Sequence, residues 1–178
     1  PLNTRLPVAY WRDEESHLEK QDRIPDYLQT DPAYGGLPGQ GRMYCGPVAV
    51  ANSIMWLDEN GYDRLVPDTD DRKKDQFELI STLGSPQYMN TDPATGTGIG
   101  RFLSGTHEYV LDRGYGRARL AYQGWRDHGT IFDTGVTVPD LAWIRAGIRG
   151  SASAWLNIGW YTYDPELDEY RRRDGHWI

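Results

Sequence analysis

The sequence predicts an α+β domain with its helices ahead of its strands, and three observations carry this. Val48-Ala49-Val50-Ala51 together with Ile54-Met55-Trp56-Leu57 is apolar round most of a helical circumference, the mark of a buried central helix. The stretches 73–83 and 99–112 carry apolar stripes at helical spacing. Beyond residue 152 the chain turns to aromatic, alternating segments suited to strands. Helices first and sheet afterwards is an α+β layout.

A chain of 178 residues is one domain, 1–178, with room for a core. Its net charge of −7 argues against a nucleic-acid or anionic-membrane partner, both of which want a basic face. No apolar run reaches the roughly 18–20 residues that span a bilayer. A single cysteine makes no internal disulfide, which leaves the compartment open. The chain opens on Pro1, as expected if a leader or upstream segment has been removed.

Taken in order, residues 1–44 show little periodicity. Leu6–Trp11 reads as a short strand, Glu14–Asp22 as a helical turn, and 31–41 as a Gly/Pro-rich loop. A helix is expected from Pro47 to Asn60, with Gly61 as its stop. Asp68-Thr69-Asp70-Asp71 lacks the glycine and distal glutamate of a calcium loop and reads as a solvated loop and helix cap. The second helix spans Lys73–Leu83 before Gly84, and residues 85–98 are loop. Thr95–Gly100 is glycine-rich, but no strand precedes it and no Lys-Ser/Thr pair follows, so it is a poor phosphate loop. The third helix covers Ile99–Asp112, with Gly114 as its stop. A strand is expected at Arg117–Trp125, a short helix at Pro139–Arg149 and a long strand at Ser153–Tyr163. A turn at Asp164-Pro165-Glu166 then leads to strand segments Tyr170–Arg173 and Gly175–Ile178.

Cys45 sits at the junction of a glycine-rich loop and the central helix. Pro47 suits the first helical position, where its missing N–H has no partner to lose. The open amides and positive dipole end of such a helix favour thiolate over thiol. A lone cysteine also serves as a small buried hydrophobe, the alternative reading. His176, 131 residues downstream (176 − 45), is the candidate base. His17 lies in a charged stretch and His107 within a helix, while His128, after a predicted strand, is the runner-up.

The motif Cys45-Gly46-Pro47-Val48-Ala49-Val50-Ala51 resembles the nucleophile motif of the peptidase C39-like family, bacterial relatives of bacteriocin-processing peptidases. Leu156-Asn157-Ile158-Gly159-Trp160-Tyr161, followed by Gly175-His176-Trp177-Ile178, is similar to that family's histidine hairpin. The Cys–His separation matches the ~130–150 residues of papain-type enzymes. The resemblance covers residues 40–178. It implies a papain-like fold, a helical half bearing the nucleophile and an antiparallel sheet bearing the base. It further implies a cysteine peptidase or amidase that cleaves a peptide or protein substrate without cofactor or metal. His176 would take the Cys45 proton, and the thiolate would attack an amide carbonyl to give a thioester that water hydrolyses.

Two departures from the pattern matter. The family's oxyanion glutamine stands six positions before the cysteine, whereas Gln40 stands five before it. Gln40 is the best side-chain donor by position, or else a polar loop residue. The Asp or Asn that orients the histidine lies on a later strand of the family, and the chain ends two residues past His176. The sheet is therefore expected to lack its C-terminal strands and to be completed by a second segment. Two other functions share the fold, a transglutaminase-like acyltransferase and a non-catalytic module binding peptide or glycan in a groove lined by the aromatic strand 155–163.

Overall fold

The computed structural model describes residues 24–67, 69–125, 128–149 and 152–178. At its centre lies helix α1, Cys45–Glu59, whose residues 46–51 and 54–56 are all buried. Burial on every side follows from its apolar circumference. The chain here expected a start at Pro47, and the helix begins two residues earlier, on Cys45 itself.

Helix α2, Arg72–Gly84, and helix α3, Ile99–Asp112, pack against α1 and against each other. Asp71 caps α2 by accepting from the Lys74 amide, the cap role expected of the acidic loop. Its apolar face contributes Leu79, Ile80 and Leu83 to the core. The α3 face contributes Phe102, Leu103, Thr106 and Tyr109. The Tyr109 hydroxyl donates to Leu65 O at 2.6 Å inside the core, so the 60–66 connection is tied to α3. Asp75, fully buried, accepts from Thr69 Oγ1 at 2.6 Å and from the Thr69 amide at 3.3 Å.

Helix α4 covers Leu141–Arg149. Strands β1, Asn157–Asp164, and β2, Glu169–Trp177, follow as an antiparallel pair. Among the described residues this is a two-stranded sheet beside four helices, an α+β arrangement. Ile158 stands opposite His176 and Asn157 opposite Trp177, with a bulge between Trp160 and Tyr161. The return strand is continuous from Glu169, so the two segments expected at 170–173 and 175–178 are one.

The strand expected over 117–125 does not form. Tyr122 alone makes a parallel bridge, to Asp133, with the Tyr122 amide donating to Phe132 O at 2.7 Å. Alternation is necessary for a half-buried strand, but hydrogen bonding needs a neighbouring strand as well, and β1 pairs with β2 instead. The long strand expected from Ser153 starts at Asn157, because Trp155 is drawn onto α1: its indole donates to Ala49 O at 3.2 Å and Ser53 Oγ at 3.0 Å. The segments expected at Leu6–Trp11 and Glu14–Asp22 lie outside the described residues, as does His17.

Candidate active site

The loop entering Cys45 has an unusual backbone. Gly39, Gln40 and Gly41 all have positive φ, at 62°, 58° and 71°. A non-glycine residue pays to sit there, so Gln40 is held by its neighbours rather than by its own preference. Gly41 is buried, and a Cβ on it would overlap Gln29 O. The Gln29 side chain grips the same loop, donating from Nε2 to Gly41 O at 3.0 Å and to Arg42 O at 2.9 Å. The Tyr44 amide then donates to Gly41 O at 3.0 Å and delivers the chain to α1.

Cys45 is half-buried, carries a free thiol and packs against the core cluster. No side chain caps α1. The first amide to find a helical acceptor is that of Val48, which donates to Tyr44 O at 3.0 Å. Pro47 has no amide hydrogen, so the N–H groups of Cys45 and Gly46 form the open end of the helix. Two donors beside a thiol suit the binding of a developing oxyanion.

The strand that carries His176 packs near this end of α1 through the next residue, Trp177. Trp177 is buried and stacks face to face on Phe102, with ring centroids 3.7 Å apart and planes 3° apart. The Trp177 indole donates to Thr97 O at 3.4 Å. Thr97 and Phe102 in turn flank Gly46, where a Cβ would lie 3.3 Å from Thr97 Oγ1 and 3.4 Å from Phe102 Cδ2. One pair of residues thus touches the chain next to both Cys45 and His176. Strand alternation turns His176 to the face opposite Trp177, which it shares with Trp160, ring centroids 6.0 Å apart, and Asp174. Among the described residues neither the Cys45 thiol nor the His176 ring takes part in a hydrogen bond, and no Asp or Asn orients that ring.

Gln40 is exposed and its side chain makes no hydrogen bond among the described residues. His128 packs edge-on against Tyr122, at 5.4 Å, and its buried Nε2 has no hydrogen-bond partner among the described residues. His107 packs against Phe132 at 5.3 Å.

Sequence reasoning missed Gln29 and Thr97, and placed Trp155 in the aromatic strand rather than on α1. Gln29 acts 12 residues away, and nothing in its local sequence marks a clamp. Thr97 lies in the glycine-rich stretch weighed only as a phosphate loop, and its use is to seat Gly46 and Trp177. No helix among the described residues is long and apolar enough to cross a membrane. No family model, curated protein or solved structure matches the chain.

Proposed function

We propose that this chain is a cysteine peptidase or amidase of the kind its two motifs resemble. The observation that supports the reading is the convergence at one helix end. A half-buried thiol opens an uncapped, buried helix, and the histidine strand is packed beside it through Trp177, Thr97 and Phe102. His176 would accept the Cys45 proton, and the thiolate would attack the carbonyl carbon of a peptide or amide. The Cys45 and Gly46 amides, with Gln40 as a side-chain donor if its loop turns inward, would hold the oxyanion. His176 would return the proton to the leaving amine, and water would release the acyl group from sulfur. Thiol and imidazole are commonly apart or misaligned without substrate and tighten when it binds.

A second reading is favoured by the exposed Gln40 side chain and the absence of a thiol–imidazole hydrogen bond. It is a non-catalytic module that keeps the fold and binds peptide. The same active centre passing its acyl group to an amine would be transglutaminase-like. Turnover of a casein substrate, with and without a labelled amine, separates the three. Hydrolysis lost in both Cys45→Ser and His176→Ala, with the fold retained, supports the peptidase. Amine incorporation supports the transferase, and no turnover by the wild type supports the binding module. Loss in His128→Ala with full activity in His176→Ala would move the base to His128.

A further inference from the structure

A cleft of about 1720 Å³ opens between α3, the 114–125 segment, α4 and the hairpin. Cys45 and His176 are not among its lining residues, while Phe102 and Trp177, which pack beside the candidate active site, form the wall it shares with that site. Its volume exceeds the ~300–1,000 Å³ of ordinary small-molecule sites and suits a length of polypeptide.

The charge on its walls is one-sided. Among the described residues Arg117, Arg119 and Arg172 line the cleft and no Asp, Glu or Lys does, although the chain as a whole carries −7. Arg117 and Arg119 are exposed and form no ion pair among the described residues. Arg172 is held by the backbone, its Nε donating to Asp174 O at 3.0 Å. Its guanidinium lies across Gly175, where a Cβ would overlap Nη2, and beside Gly159, where a Cβ would come within 3.2 Å of Nε. The two glycines are opposite one another in the hairpin and make a trough for the cation, which pairs with no carboxylate among the described residues. Between these cations the walls are aromatic and aliphatic, with Trp155 and Trp177 at the hairpin end.

The hairpin also offers a backbone template. The edge of β1 away from β2 has no partner strand among the described residues, and Asn157, Ile158 and Gly159 line the cleft in succession. An added strand would satisfy those main-chain groups, while alternate side chains fall on the two kinds of wall.

We propose that this cleft docks an extended acidic peptide segment of a partner protein. The segment lies along β1 with carboxylates on Arg117, Arg119 and Arg172 and apolar side chains among the rings. The inference does not depend on the peptidase reading, since it is read as binding alone.

The test is fluorescence anisotropy with a labelled ten-residue peptide of alternating Glu and Val, beside the Lys–Val peptide and unlabelled dodecanoate as competitor. The Glu–Val peptide is expected to bind, and the Lys–Val peptide at least tenfold more weakly. Arg117→Gln/Arg119→Gln/Arg172→Gln should weaken Glu–Val binding at least tenfold, with the fold checked by circular dichroism. If that variant unfolds, raising the salt on the wild type from 0.1 to 0.5 M should weaken binding by a similar factor, because the contacts are exposed ion pairs. Cys45→Ser should bind as the wild type does. Absent Glu–Val binding, equal binding of the Lys–Val peptide, or no effect of salt would overturn the proposal. Displacement by dodecanoate at equal concentration would assign the cleft to an anionic amphiphile, and peptide-sensitive self-association of the protein would assign it to a second copy. Either result also overturns it.

Discussion

Gly41→Ala tests how the nucleophile loop is held. Position 41 has φ 71°, and a Cβ there would overlap Gln29 O and lie 2.6 Å from Gln29 C. Both obstacles are backbone, so neither can turn aside as a flexible side-chain tip would. The left-handed conformation alone costs an alanine about 1–2 kcal/mol. Relief of the overlap requires the loop to part from residue 29, which breaks the two Gln29 Nε2 bonds to Gly41 O and Arg42 O. At ~0.5–1.5 kcal/mol each, those bonds add about 1–3 kcal/mol, for a total of about 2–5 kcal/mol. Gln29→Ala removes the bonds and leaves the backbone conformation in place, so it should cost only the ~1–3 kcal/mol share. Urea unfolding reads both numbers, with midpoints that fall while the slope stays constant. A Gly41→Ala loss below about 0.5 kcal/mol, within the range of ordinary surface substitutions, would refute the close approach. Equal losses in the two variants would refute the backbone share of the cost.

Burial pushes the Tyr109 hydroxyl up to about 12, and the neutral form is the one the core holds. Its stabilisation is therefore present below pH 10 and lost as pH rises from about 10 towards 12, at ~1.4 kcal/mol per pH unit. Tyr44 and Tyr88, also raised by burial, act with the same sign. Urea midpoints in that window should fall less steeply in Tyr109→Phe than in the wild type, and parallel slopes would refute the assignment. Trp177→Ala removes a ring stacked on Phe102 and should cost about 3–5 kcal/mol, read from the urea midpoint. Asp75→Ala should cost about 1–3 kcal/mol by removing two hydrogen bonds of ~0.5–1.5 kcal/mol each to its buried carboxylate, and faster amide exchange at Thr69 should accompany it.

The three long helices were legible because each carries apolar residues at a helical period, over Phe77–Leu83 in α2 and over longer stretches in α1 and α3, and α1 reads as central from its full apolar girth. The hairpin was legible in outline from its aromatic strands and the Asp164-Pro165-Glu166 turn, but the bulge at Trp160/Tyr161 was not, since no residue there signals one. Arg117–Trp125 misled because alternation describes how a strand would be buried and says nothing about which strand it pairs with. At the site, Pro47 marked the helix start to within two residues, the first helical residue being Cys45 itself. What escaped were contacts across long sequence separation: Gln29 on the loop, Trp155 on α1 and Thr97 beneath Trp177. None has a local pattern, because each is defined by the tertiary packing that brings it there. Gln40 was found by counting back from the cysteine, and its left-handed backbone, allowed between two glycines, is a feature counting does not reveal.

The central claim is that Cys45 and His176 act as a nucleophile and its base. The rate of iodoacetamide alkylation of Cys45 at about pH 7, in the wild type and in His176→Ala, tests it most directly. The account predicts that the wild-type thiol is alkylated at least tenfold faster than the thiol of His176→Ala, because the histidine is what activates it. Equal rates in the two proteins would contradict it.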